Sequence, residues 1–414
     1  MDVTLSVYHK TLSVIGISIF AREKWDSIPW LIIQTFMFIY ALLILIFCTV
    51  FMIQNYSDLL ICIQAACVWN TGILMFICIT IFFVYRKKFR TFLTEIVFQD
   101  PMLNMPFIEQ ILKLFLGGKL NELKQLVIYS QDKLFKLSDI LIRTYLGSFT
   151  LCYVLYTCKP IYRTFIGREN KDVRIMAFEM WFPWGLKNDY VYVASFLFNL
   201  YGGYICCLSC CGLQSTIFLL FGQMIRQLKV LIFILQNLDE LVLELTGKRD
   251  ERWQKHCTLI LSQCVDHYIK LKRFNNRLNV ICQPFYLALI LDAIMLVCVC
   301  FVKIAISDRF SEDTLKYYIH AFCIGFIVML FCFLGQQLKN ECDILENVVL
   351  EKWYIFDKKH KVCVQIFKMA VSHGMPVYIF GSVTLTLPTF TWFIRSVMSF
   401  FMLVMTVLED DNNN

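Results

Sequence analysis

Seven times along the chain a run of about 20 or more residues passes with almost no charge. That recurrence constrains the fold more than any other feature. The runs cover roughly 28–53, 59–85, 137–158, 189–221, 280–304, 317–338 and 377–408. Each is long enough to cross about 30 Å of hydrocarbon as a helix. Composition says the same thing: 58% of residues are hydrophobic and only 17% charged, against about 45–50% and 25% in soluble domains. A water-soluble fold cannot hide that much apolar surface, so lipid must solvate much of the chain. The expected fold class is an all-α membrane protein with seven transmembrane helices. Trp30, Tyr40, Tyr85, Tyr190 and Tyr192 fall near the predicted interfaces, where amphipathic rings settle. The third run, which contains Arg143, is the weakest.

Most of the 39 lysines and arginines lie in the amino-terminal segment and in the connections 86–136, 222–279 and 339–376. The positive-inside rule therefore predicts a cytoplasmic amino terminus and an extracellular carboxyl terminus. The N-x-S sequon Asn55-Tyr56-Ser57 falls on the expected outer side. This orientation is opposite to that of G-protein-coupled receptors, whose signature motifs are also missing. No cleavable signal peptide is expected, since the first 26 residues are amphipathic and carry acids.

The cytoplasmic connections carry heptad-like seams. Met224, Leu228, Leu231, Leu235, Leu238, Val242 and Leu245 form one. Trp253, Cys257, Ile260, Cys264, His267, Leu271, Phe274 and Leu278 form a second, and Leu338, Cys342, Leu345 and Val349 a third. The fourth, fifth and sixth spans are therefore expected to continue as helices into the cytoplasm, and the seventh, long enough to begin there, to join them in a cytoplasmic anchor. Their stripes pack on one another, bind neighbouring subunits, or do both. The chain then divides into an amino-terminal segment with four spans (1–221), helical extensions (222–279) and spans five and six (280–338). An anchor segment (339–376), the last span (377–408) and an extracellular tail (409–414) follow.

No phosphate-binding loop, nucleophile elbow, metalloprotease motif or dinucleotide fingerprint is present, so enzymatic activity is not expected. No cofactor, metal or nucleic-acid partner is expected either. Most of the nineteen cysteines sit inside apolar runs as small hydrophobes. Cys206, Cys207, Cys210 and Cys211 lie among Gly202, Gly203, Ser209 and Gly212, a stretch that lets helices approach closely. Two ionisable groups stand inside apolar runs, Asp292 in the fifth and Arg143 in the third. Such groups are costly in lipid and mark either a function or a buried pair. The last run is chemically distinct: Thr384, Thr391, Arg395, Ser399, Met402, Leu403 and Thr406 recur at steps of three and four. A polar stripe of this kind suits the wall of a water-filled path, narrowing to a hydrophobic constriction at Met402 and Leu403. Hydroxyls acting as glue between helices are the competing account.

The carboxyl-terminal third resembles the insect odorant receptor family. The likeness is carried by Tyr317-Tyr318 through Phe322, Gly325, Trp353-Tyr354, Pro376, the run TLTLPTF ending at Phe390, and SFFMLVM from Ser399 to Met405. Trp181, Pro183 and Trp184 fit the family's second outer loop. Gustatory relatives and the co-receptor carry Thr-Tyr, five apolar residues and Gln in the last helix, where this chain has Ser399, Phe400 and Thr406. The co-receptor's long cytoplasmic insertion is absent. The resemblance therefore implies a ligand-specific odorant subunit, with a gustatory-type channel as the alternative.

It further implies an odorant-gated nonselective cation channel, a heterotetramer with the co-receptor subunit in the cell membrane of a sensory neuron. The pore and gate would be formed by Ser399, Met402, Leu403 and Thr406. The family's cytoplasmic anchor would involve Leu338, Leu345, Val349 and Trp353. A small volatile ligand would bind between spans two and six. The walls expected by depth are Val68, Trp69, Gly72, Ser148, Phe149, Cys152, Phe196, Tyr201, Leu287, Tyr318 and Phe322. Glu409, Asp410 and Asp411 at the tail would be solvated or attract cations.

Overall fold

The computed structural model of the chain describes residues 2–21, 24–57, 59–113, 117–163, 175–306 and 312–413. Seven helices are long and apolar enough to cross a membrane. They are α2 (Ile28–Gln54), α3 (Leu59–Val84), α6 (Gly118–Ile161), α7 (Asp189–Gln236), α9 (Glu251–Ile306), α10 (Glu312–Val349) and α12 (Leu387–Asn413). Between them lie α1 (Asp2–Ser13), α4 (Arg86–Leu93), α5 (Pro106–Lys113), α8 (Leu238–Thr246) and α11 (Lys358–Val371). Among the described residues the fold is all-α apart from one two-stranded hairpin.

Helices α7, α9 and α10 run past their apolar stretches, as the seams require, and α6 does so as well. Together with the short helices they build an extramembrane base. Local sequence sets the breaks. Asn237 ends α7 by returning its side-chain amide to the Phe233 carbonyl at 2.9 Å. Gly247, at φ +71°, closes α8 in the left-handed region that suits glycine. Asp250 accepts from the Trp253 N–H at 2.9 Å and opens α9, and Asp357 caps α11 through the His360 N–H at 2.8 Å.

The last span starts later than its apolar run. Strands β1 (Tyr378–Phe380) and β2 (Val383–Thr384) form an antiparallel hairpin turned at Gly381. Helix α12 begins only at Leu387. The physical reason is that two α9 amides, Asn275 and Asn279, both donate to the Pro376 carbonyl, at 3.1 and 2.7 Å. They pin the chain in an extended turn just before the hairpin. Pro388 consequently sits in the first turn of α12, where its missing N–H costs nothing, and produces no kink there.

Burial is uneven. In the most apolar stretch of α7, 83% of residues are buried within the chain, and 72% in α9, but only 11% in α12. Helix α7 is thus the centre of the molecule and α12 its rim. At one junction α10 touches the hairpin directly, since a Cβ on Gly335 would fall 1.9 Å from the Leu385 carbonyl oxygen.

The base has a polar core of its own. The carboxylate of Asp100 is ion-paired with Arg226, both nearly fully buried, and its other oxygen accepts from the Met102 N–H at 3.2 Å. His267 donates from Nε2 to the Gln227 side-chain oxygen at 3.1 Å. Burial pushes the His267 pKa down to about 4, helped by the nearby Lys270 and Arg226 cations. An imidazole that ionises near 6.5 when unfolded but near 4 when folded favours the unfolded state as protons bind. Its contribution is therefore intact above about pH 6.5 and is lost as pH falls toward 4, up to about 3 kcal/mol. His267→Gln keeps a donor for Gln227 but cannot ionise. Melting curves of the purified protein should show a flatter pH dependence for this variant between pH 7 and 4; parallel curves would contradict the assignment.

Candidate functional site

Two features stand apart from ordinary packing: a cavity among the spans, and the outward face of α12. The cavity has a volume of about 110 Å³ and lies toward the end of the spans opposite the base. Helix α3 contributes Cys67, Val68, Thr71, Gly72 and Met75, and α6 contributes Phe149, Cys152, Tyr153 and Tyr156. From α7 come Asn199, Gly202, Gly203, Cys206, Cys207 and Cys210. These sets follow helical steps of three and four, so each helix turns one face inward. Asp292 and Leu296 of α9, His320 and Ile324 of α10, and Ile44 of α2 add to the walls.

Phe178 and Met180, from the connection between α6 and α7, also line the cavity. Asn199 holds that connection in place with a double hydrogen bond. Its side-chain oxygen accepts from the Phe178 N–H at 3.0 Å, and its amide donates to the Phe178 carbonyl at 2.9 Å. Trp184 donates to the Ser195 hydroxyl at 2.7 Å and Tyr192 to the Ile175 carbonyl at 2.7 Å. The small residues of α7 do what their size allows. Cys206 and Cys207 donate weakly to the Thr71 and Phe149 carbonyls, both at 3.6 Å, and draw α3 and α6 close.

Of the eleven walls expected from sequence, Val68, Gly72, Phe149 and Cys152 line this cavity and the other seven do not. On α10, His320 and Ile324 point inward. Tyr318 and Phe322, two residues away and so about 200° around the helix, are 44% and 72% exposed. Trp69 turns toward α2 and donates to the Thr49 hydroxyl at 2.9 Å. Ser148 returns its hydroxyl to the Thr144 carbonyl at 2.9 Å. Phe196 is buried against Tyr192, Tyr201 packs edge-on to Tyr40, and Leu287 packs on the general core. Asn199, Phe178 and His320 were missed, because only the helix phase and the covering connection bring them in. The two intramembrane charges separate. Arg143 is exposed and bonds Asp139 one turn back at 2.9 Å, whereas Asp292 faces the cavity.

Helix α12 packs on α9 and α10 through Thr389, Phe393 and Val397, with Phe401 edge-on to Phe301 at 6.1 Å. Thr391, Arg395, Ser399, Met402, Leu403 and Thr406 are all exposed. At about 100° per residue the centre of that stripe falls roughly opposite the packed face. The stripe therefore points directly away from its own subunit. Among the described residues Arg395 has no ion pair or hydrogen bond. Thr406 and Thr391 return their hydroxyls to the Met402 and Leu387 carbonyls, at 3.0 and 3.4 Å. The side chains of Glu409, Asp410 and Asp411 lie outside the described residues.

The expected anchor residues are mostly taken up inside the chain. Leu338, Leu345 and Val349 are buried in the base, their seam closed intramolecularly by the neighbouring helices. Only Trp353 of the four is open, at 47% exposed. What the base leaves uncovered is a different apolar stripe, Val362, Ile366 and Met369 on α11, with Ile344 and Leu350 on and beside the end of α10.

Residues 124–398, about two thirds of the chain, match the family described as 7tm odorant receptor (7tm_6). The chain therefore belongs to the odorant receptor family and is a multi-pass membrane protein. Its fold is similar to that of the insect olfactory receptor OR5 from Machilis hrabei in complex with eugenol. The TM-score is 0.77 at 10% identity, with 97% of each chain covered. A second structure of that receptor gives a TM-score of 0.74 at 10% identity, covering 97% of this chain and 99% of the other. No curated protein sequence matches.

Gly72 offers a clean test of the cavity. A Cβ there meets nothing within 4 Å, so Gly72→Leu should fill the space without unfolding the protein. Small ligands that raise the melting temperature of the wild type should lose most of that effect in the variant. An undiminished shift would place their site elsewhere.

Proposed function

We propose that the chain is the ligand-specific subunit of an odorant-gated, nonselective cation channel, assembled as a tetramer with a co-receptor subunit. The observation that carries this reading is the outward polar stripe of α12. A face with hydroxyls and an Arg395 that has no partner among the described residues is poorly suited to lipid, where a central charge costs on the order of 3 kcal/mol. It is well suited to water, and water reaches it when several copies of the helix surround one path. Met402 and Leu403 narrow that path to an apolar ring, which closes by dewetting when the helices approach.

Assembly has its own support. The Val362, Ile366 and Met369 stripe lies outside the spans, where lipid cannot cover it, and exposed apolar stripes of this kind fit protein partners. The distribution of Lys and Arg puts the base in the cytoplasm. Only four residues, 247–250, separate α8 from α9, which fits a ligand-specific subunit without the co-receptor's insertion. The ligand site is the cavity, the same fold having been captured with eugenol in the Machilis receptor. A ligand that binds the open state better than the closed one shifts the equilibrium by that difference in affinity. Binding rests on dispersion and desolvation over mostly apolar walls.

Whole-cell recording from cells co-expressing this chain and a co-receptor tests the reading. A cation current in response to members of a broad volatile panel is expected. Its absence for every member, with the protein shown at the surface, would contradict it. Leu403→Ala should raise the resting leak several-fold by widening the apolar ring; an unchanged resting current would remove Leu403 from the gate.

A further inference from the structure

Asp292 is the one acid among the described cavity walls, and it is 7% exposed. Its Oδ1 has no hydrogen-bond partner among the described residues. The other polar walls are already engaged. The Asn199 amide is spent on Phe178, the Tyr153 hydroxyl donates to the Leu200 carbonyl at 3.1 Å, and Tyr156 pairs with His320 Nδ1 at 3.1 Å. Thr71 returns its hydroxyl to the Cys67 carbonyl at 2.7 Å. Among the described residues no lysine or arginine lines the cavity. A molecule entering it therefore meets mostly apolar surface among the described walls, with the Asp292 carboxyl, one of whose oxygens has no partner there, as the acid it can approach.

We propose that Asp292 is the orienting group of the ligand site and that the ligands it selects are small aliphatic or cyclic amines. An amine supplies what this oxygen lacks, an N–H donor. Transfer of the carboxyl proton to the amine, or entry of the amine already protonated, makes the contact a charge-assisted bond, the stronger kind. An alcohol supplies a donor without the charge, and an alkane supplies neither. Size is limited as well. The cavity is smaller than the roughly 150 Å³ apolar cavity that accommodates benzene, so short branched chains or five-membered rings fit and long chains do not. The gap in the walls explains why a carboxyl group is held among apolar helices at all: its compensation arrives with the ligand. This inference rests on the cavity being the ligand site.

Three isosteres small enough for the cavity separate the possibilities: isobutylamine, isobutanol and 2-methylbutane. Binding is read as the rise in melting temperature of the purified full-length chain, and gating as whole-cell current in the co-expressed channel. The amine should act at concentrations about 10- to 100-fold lower than the alkane, with the alcohol between them. Asp292→Asn, which keeps an acceptor but loses the charge, should bring the amine down to about the alcohol's potency and leave the alkane's own effect in place. Equal potency of amine and alkane in the wild type overturns the proposal, as does an alcohol that outranks the amine. An amine-over-alcohol preference that survives Asp292→Asn undiminished overturns it too. The wild-type ranking decides the matter even if the variant folds poorly. Amine-selective binding with no current supports the role of Asp292 while sinking the channel reading. Current without amine preference does the reverse.

Discussion

Everything in this molecule leans on the packing of α7, a helix buried around most of its circumference from the spans down into the base. Burial on that scale needs small residues. Gly202, Gly203, Cys206, Cys207, Cys210 and Gly212 let α2, α3, α6 and α1 approach closely, and a Cβ on Gly212 would meet the Leu12 side chain at 2.1 Å. The same smallness leaves the cavity. Where α7 carries glycine and cysteine in place of leucine, its neighbours meet it without filling all the space between. Lower down α7 carries Gln223, Arg226 and Gln227, which with Asp100 and His267 form the polar core of the base. One helix thus determines both the site and the platform beneath it.

The site and the rim helix are joined by α9. It places Asp292 and Leu296 against the cavity, packs along α12 through Phe301, and holds the hairpin before α12 with Asn275 and Asn279. In the proposed channel this gives a ligand a short mechanical route. A molecule bearing on α9 bears on the element that carries α12. Rigid side-chain packing passes such a displacement on with little loss, since close-packed interiors are hardly compressible. The ligand changes the balance of states only by the difference in its affinity for them.

Much of the architecture was legible in the sequence because lipid imposes a length. The seven spans, the helices that continue into the base and the three buried seams all follow from apolar run length and three-four spacing. The position of α12 was not, because Val377 to Leu387 is as apolar as a helix and only the distant Asn275 and Asn279 hold its first part extended. The cavity walls were half-hidden for a related reason. A transmembrane helix is apolar toward lipid and toward protein alike, so the sequence of α10 does not say whether Tyr318 and Phe322 or His320 and Ile324 face inward. The anchor seam carries a different ambiguity. Leu338, Leu345 and Val349 form a convincing heptad, but a heptad states only that a partner exists, and here the partner is the same chain. The α12 stripe was easier to pick out because Thr391, Arg395, Ser399 and Thr406 interrupt an otherwise apolar helix, although hydroxyls acting between helices would give the same pattern.

The central claim is that the outward face of α12 borders water when ligand is bound. Cysteine accessibility measures this directly. In the co-expressed channel, Ser399→Cys and Thr406→Cys should be modified by a charged, membrane-impermeant thiol reagent faster with ligand than without, and the modification should block current. Val397→Cys, on the packed face, should behave like the wild type with its native cysteines. Protection of Ser399→Cys and Thr406→Cys equal to that of Val397→Cys, with currents intact, would show that ions take another route and would contradict the account.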